Sequence, residues 1–246
     1  HVPLVAPEKY FAPYPMGKMA LPPKIPGDQD DIPRNSANRR TTANYQMDLN
    51  QQKGTLRAYY ASVSFVDALV GKILDALETS GQRDDTIVIF TSDHGYHLGE
   101  HDMWQKVSIH EESAKVPLII SVPGKKAAVC HSLSELIDLY PTVSQLCGLK
   151  IPGNIQGKDI SGMLEDPAVK VRDAALSSGK GRLLRTEKWA LLDYGKNGEL
   201  YDMERDPKQY DNLFGDPKYA ETLAELKAKL KAKLNEIGEN DLPYKK

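Results

Sequence analysis

T-I-V-I-F-T-S-D-H-G-Y-H-L-G-E-H-D-M-W-Q-K, Thr86 to Lys106, is the stretch on which the fold turns. Its opening, Thr86 to Thr91, is a compact β-branched run of the kind that fills a central strand of a sheet covered on both faces. The composition then changes at once. Three of the chain's six histidines, two aspartates and a glutamate follow before a lysine, Lys106, ends the stretch. Titratable groups crowded at a strand's carboxyl end mark a candidate site, because α/β sheets bind their ligands there.

Upstream, Tyr59, Val63, Val66, Val70, Ile73, Leu74 and Leu77 recur at helical spacing until Ser80-Gly81, which predicts an amphipathic helix from about Leu56. Downstream, V-P-L-I-I-S-V-P-G reads as a second strand around Leu118 to Val122, and S-E-L-I-D-L-Y-P-T-V-S-Q-L from Ser134 as a helix kinked or bounded near Pro141. Helix, strand, loop, strand and helix in that order argue for an α/β fold with a mostly parallel sheet flanked by helices. Residues 1–55 are punctuated by eight prolines and read as a long irregular segment. The tail differs. Arg182 to Met203 looks like short strands turning at Lys196-Asn197-Gly198, and Leu223, Leu226, Leu230 and Leu234 then form one stripe of a lysine-solvated helix. The expected division is a large α/β domain over residues 1–165 and a small α+β subdomain, a short antiparallel sheet plus helix, over 166–246.

Composition narrows the partners. A formal charge of −2 with 27% charged and 40% hydrophobic residues gives no general electrostatic case for nucleic acid or an anionic membrane. No stretch approaches the roughly 18 consecutive apolar residues of a membrane span. The chain begins H-V-P-L-V-A-P, without Met and without a signal pattern, so the expectation is a processed chain or a fragment. Cys130 and Cys147 lie in no metal-binding spacing and are expected as two buried thiols.

Two chemistries fit the titratable stretch. H-L-G-E-H, His97 to His101, matches the inverted zincin pattern H-x-x-E-H, in which two histidines a helical turn apart hold zinc. That pattern needs a helix, yet Gly95 and Gly99 would each cost about 1 kcal/mol relative to alanine in one. The other reading makes Asp93 and His94 metal ligands and the remainder a substrate-facing loop. That loop ends at Lys106, whose compact ammonium suits an anionic ester or its departing oxygen. Trp104 reads as a loop anchor. Taken alone, Asp93-His94-Gly95 is also an ordinary capped turn.

With these residues assembled, the chain resembles the C-terminal part of a type I sulfatase of the alkaline phosphatase superfamily, nearest in its motifs to iduronate-2-sulfatase and bacterial choline-sulfatase-like enzymes. The motifs that carry this are T-S-D-H-G-Y-H-L-G-E-H with W-Q-K, H-V-P-L-V-A-P, V-P-L-I-I-S-V-P-G, E-L-I-D-L-Y-P-T-V, and R-T-E-K-W-A-L-L-D-Y with E-L-Y-D-M-E-R-D-P. The resemblance implies a sulfuric ester hydrolase acting on a sulfated carbohydrate or similar small molecule. It implies that Asp93 and His94 bind metal, usually Ca²⁺, with Mg²⁺ or Zn²⁺ as alternatives. It further implies that Lys106 and His1 are catalytic groups at the sulfate ester and that His97 and His101 shape the substrate side. No C-x-P-S-R or S-x-P-S-R string is present: Cys130 is followed by H-S-L and Cys147 by G-L-K. The formylglycine nucleophile is therefore expected on the N-terminal part of the same enzyme, and the location expected from the family is exported or lysosomal. A phosphatase or phosphonate monoester hydrolase of the same superfamily, a zincin-like peptidase and a catalytically dead binding remnant are the alternatives.

Overall fold

A computed structural model of the chain describes residues 2–34, 40–106 and 108–238. They fall into two compact units. The first comprises His1–Gln29, Asn38–Val107 and Lys115–Gly124, and the second Asp30–Ala37, Ser108–Ala114 and Lys125–Lys246.

The first unit is organised by helix α1, Leu49–Thr79. It starts earlier than its apolar stripe because Asp48 and Gln51 form a reciprocal cap: each side chain accepts the other's backbone N–H at 2.8 Å. Gly81, at φ 72°, follows the helix end with a backbone conformation that favours glycine. The first part of the proline-punctuated segment forms two short 3-10 turns, Glu8–Tyr10 and Met16–Lys18, and lies against this helix. Arg57 Nε donates to the Tyr14 carbonyl at 2.7 Å, the Tyr14 and Ser64 hydroxyls are 2.7 Å apart, and the Tyr10 and Phe65 rings lie 5.1 Å apart. Leu56 and Ala61 are buried, but Val63, Val66 and Ile73 are 52%, 50% and 67% exposed. Half of the predicted apolar stripe is thus uncovered within its own unit.

The strands of this unit are β1 (Val88–Thr91), β2 (His97–Leu98), β3 (Trp104–Gln105) and β4 (Leu118–Ser121). β1 and β4, the two strands expected from the sequence, pair antiparallel, with Val88 opposite Ser121 and Thr91 opposite Leu118. A parallel pair needs a crossover that covers the sheet, usually a helix, and the residues between these strands carry the β2–β3 hairpin instead. Phe90 and its partner Ile119 are exposed, so the face they share is open in this unit. The mixed helix-and-sheet class expected from the sequence holds, while every strand pair among the described residues is antiparallel.

The second unit contains the short helix α2 (Glu111–Ala114), then α3 (Leu139–Leu146), which follows a 3-10 turn at Leu136–Asp138. Pro141 sits in the first turn of α3, where its missing N–H costs nothing, so it neither kinks nor ends the helix. Strands β5 (Ala175–Ser178), β6 (Arg182–Arg185), β7 (Trp189–Asp193) and β8 (Gly198–Asp202) form an antiparallel meander in chain order. Helix α4, Ala220–Gly238, presents the expected leucines: Leu226 and Leu230 pack with Leu184, Leu191 and Leu200 on one face of the sheet. Leu183, Leu192 and Tyr201 pack with Ile109 on the other. At Gly198 a Cβ would lie 2.3 Å from the Phe214 ring and 2.8 Å from the Leu192 carbonyl oxygen, so the chain approaches too closely there for any side chain. Both cysteines are free thiols, and Cys147 is exposed rather than buried.

Candidate active site

Asp93 and His94 leave β1 together. The Ser92 hydroxyl donates to the His94 carbonyl at 2.8 Å and bends the backbone sharply. His94 Nδ1 lies 2.8 Å from the Gly95 carbonyl oxygen, which only accepts, so in the neutral ring Nδ1 carries the proton and Nε2 offers the lone pair. That Nε2 is 3.6 Å from Asp93 Oδ2, with the two side chains 33% and 85% exposed. A carboxylate oxygen and an imidazole lone pair so disposed fit two places in the coordination shell of one divalent cation. They are only two: among the described residues no group of three or more histidine, cysteine, aspartate and glutamate side chains is arranged to hold a metal.

From His97 the chain forms a hairpin. His97 opposes Gln105 and Leu98 opposes Trp104 across β2–β3, and the Gly99 N–H donates to the Met103 carbonyl at 3.0 Å. The loop turns through left-handed backbone at Gly99 (φ 119°), His101 (φ 54°) and Asp102 (φ 52°), and Gln105 is also left-handed at φ 73°. Glu100 accepts the Leu98 N–H at 2.7 Å. This is not the helix that an inverted zincin requires, so H-L-G-E-H does not form that site.

The two histidines expected on the substrate side are buried in this structure. His97 and His101 are 1% and 2% exposed, with ring centroids 6.2 Å apart. His101 Nδ1 lies 3.1 and 3.2 Å from the two carboxylate oxygens of the buried Asp28. The His101 imidazole, held inside the unit against this carboxylate, braces the loop. Trp104 is the anchor that its reading suggested: it is buried, its Nε1–H donates to Thr42 Oγ1 at 2.9 Å, and its backbone N–H donates to the Arg40 carbonyl at 2.8 Å.

The hairpin returns the chain so that Lys106, partly exposed, follows directly on β3. The hairpin and the neighbouring α1 bring further polar and aromatic side chains together, Arg40 among them, to which no sequence motif pointed. Arg40 donates from Nη1 to the Gln105 amide oxygen and, at 3.2 Å, to the Tyr45 hydroxyl. The rings of Tyr59 and Tyr96 lie 5.2 Å apart. Burial pushes both phenols above their ordinary value; the Glu100 charge adds to this at Tyr59, while the Arg40 charge opposes it at Tyr96. His1, the remaining expected catalytic group, lies outside the described residues.

The Sulfatase family model matches residues 18–149, more than half of the chain. The chain belongs to the sulfatase family. A second model, N-sulphoglucosamine sulphohydrolase C-terminal, matches residues 99–236 of this sulfatase chain. A sulfatase of Formosa agariphila is 30% identical over 239 residues, which cover 94% of the chain and 47% of that relative. Among solved structures, one described as a complex with its substrate D-glucosamine-2-N,6-O-disulfate matches with TM-score 0.68 at 30% identity, over 83% of the chain and 47% of its own. The phosphonate monoester hydrolase of Silicibacter pomeroyi matches with TM-score 0.81 at 26% identity, over 95% and 53%. The sulfatase chain thus spans about half the length of the proteins it matches. None of its described helices is long and apolar enough to cross a membrane.

Proposed function

We propose that this chain is the C-terminal part of a sulfuric ester hydrolase that removes sulfate from a sulfated carbohydrate, in the manner of iduronate-2-sulfatase and its bacterial relatives. The observation that carries the reading is the hairpin β2–β3, which starts just beyond Asp93-His94 and returns the chain to Lys106. Asp93 and His94 would hold one divalent cation, Ca²⁺ by family resemblance, through a carboxylate oxygen and the Nε2 lone pair. When bound, that cation supplies fixed positive charge for the sulfate oxygens.

Lys106 is the group this chain itself contributes to the ester. Its ammonium points three donors at an anion and stabilises the negative charge that gathers on the departing oxygen. His1, at the start of the chain, is proposed beside it. Formylglycine is proposed to come from the N-terminal part of the enzyme, which also supplies the remaining ligands, and an exported or lysosomal location accompanies the family reading.

In the complete enzyme, Lys106→Ala is expected to lower turnover of a carbohydrate sulfate on the order of 10²–10³-fold. Asp93→Asn is expected to lower bound metal by elemental analysis. Unchanged kinetics and unchanged metal content would remove both residues from the site. The structural likeness to a phosphonate monoester hydrolase favours one second reading, and it predicts faster turnover of a phosphonate monoester than of the matching sulfate ester.

A further inference from the structure

Chain continuity ties the candidate catalytic lysine to the C-terminal meander. Lys106 belongs to the first unit, Ser108–Ala114 to the second, and Val107 alone stands between them in the sequence. Ser108–Ala114 is pinned to the meander and the loop beyond it. Ile109 is buried among Leu183, Leu192 and Tyr201. His110 Nε2 lies 2.8 Å from Glu199 Oε2, which also accepts from the Tyr201 hydroxyl at 2.6 Å. Glu111 is held twice: its backbone N–H donates to Gln209 Oε1 at 2.8 Å, and its carboxylate accepts from Arg185 Nε at 2.9 Å.

Two of these contacts use groups that packing alone does not call for. Glu199 and His110 are both almost completely buried, and an apolar pair of similar volume is often as stable as a buried ionisable one. What the polar pair adds is direction, because a hydrogen bond fixes the imidazole in orientation as well as in place. Gln209 is buried in left-handed backbone at φ 60°, which glycine would adopt without strain. What a glycine there would lack is the amide, whose oxygen is the acceptor of the Glu111 N–H. Each residue thus holds the segment in place where a simpler side chain would satisfy the fold.

We propose that Glu199 and Gln209 are positioning residues for Lys106. They hold His110 and Glu111, and through them the short link that sets where the lysine ammonium stands. The β2–β3 hairpin fixes the chain before Lys106, with Gln105 opposite His97, and these two bonds fix it after. This rests on the reading of Lys106 as the group at the departing oxygen. A misplacement of about 1 Å in such a group can cost on the order of 10²-fold in rate, so a bond remote from the ester can govern turnover.

The test uses the complete enzyme with Gln209→Gly, Glu199→Leu and Glu199→Gln, each alone and combined with Lys106→Ala, with rates taken per folded molecule by circular dichroism. Gln209→Gly removes an acceptor while easing the backbone, so it is expected to fold. Glu199→Gln keeps an acceptor oxygen and Glu199→Leu does not. The substrates are a monosaccharide sulfate, whose departing alkoxide needs a cation, and nitrophenyl sulfate, whose phenolate needs one far less. Gln209→Gly and Glu199→Leu are expected to lower kcat on the monosaccharide sulfate about tenfold to a hundredfold with little change in KM, and by much less on nitrophenyl sulfate. Glu199→Gln should recover most of the loss. With Lys106→Ala neither variant should lower the rate further, because the group they position is gone. Equal losses on both esters, losses that multiply with that of Lys106→Ala, or wild-type rates in Gln209→Gly would overturn the positioning role and leave the reading of Lys106 standing. A Lys106→Ala enzyme as active as wild type would overturn that reading, and the positioning role with it.

Discussion

Asp28 governs the conformation of a residue 73 positions away. Its carboxylate holds His101 inside the first unit, and His101 sits in the left-handed turn that leads to Lys106. Gln29 adds a side-chain bond to the His101 carbonyl, and Lys24 reaches Asp102 at 2.9 Å, so residues 24–29 act as a clamp on the loop. Replacing the carboxylate with an amide removes a charge-assisted acceptor from a buried imidazole. Asp28→Asn is therefore expected to cost about 1–3 kcal/mol in urea unfolding and to speed hydrogen exchange at residues 99–106. Unaltered exchange there would mean that the turn holds without its clamp. Asp28 was invisible in the sequence, because it lies in a proline-punctuated segment with no periodicity to say what it faces. Asp93, His94 and Lys106 stood out for the opposite reason, and their roles remain the proposal made above: ligand-type side chains crowd the end of an unmistakable apolar strand. The burial of His97 and His101 was not legible in that same crowding, since residue type says nothing about which way a hairpin turns its side chains.

At the scale of elements, the meander β5–β8 contains a buried charge that the alternation of its strands does not announce. Glu199, fully buried on β8, accepts from His110 Nε2 at 2.8 Å and from the Tyr201 hydroxyl at 2.6 Å. Burial alone would raise its carboxyl, but the His110 charge and bond, with the tyrosine hydroxyls, hold it below the usual carboxylate range. A carboxyl whose folded value is depressed stabilises the fold above its unfolded value of about 4.3 and loses that contribution as pH falls toward the folded one. Stability to urea is therefore expected to drop more steeply below about pH 4 in the wild type than in Glu199→Gln. Parallel slopes would exclude Glu199 as a source. The leucine stripe of α4 was readable because its 3.6-residue period matches the face that meets the sheet. The direction of β4 against β1 was not, because a continuous apolar run has the same pattern in either orientation. Helix α1 began before its stripe because a cap, not hydrophobicity, starts it.

For the whole molecule, two facts bear on the proposal that formylglycine comes from another part of the enzyme. The chain spans 47% of the length of the Formosa agariphila sulfatase, and it contains neither C-x-P-S-R nor S-x-P-S-R. In the first unit, Val63, Val66 and Ile73 of α1 and Phe90 and Ile119 of the β1–β4 pair are all exposed, and apolar surface of this kind marks a place where other protein packs. The two belong together if the part of the enzyme that brings formylglycine also covers these residues. The 246-residue chain by itself is then expected to bind a hydrophobic-surface dye and to hydrolyse no aryl sulfate, whereas the complete enzyme should show weaker dye binding and turnover. Charged substitution at Ile73 in the complete enzyme extends the test, since a covered position should lose stability and an exposed one should change by less than about 0.5 kcal/mol. Aryl sulfate hydrolysis by the isolated chain would put a nucleophile among its own residues, and the division of the active site between two halves of the enzyme would fall.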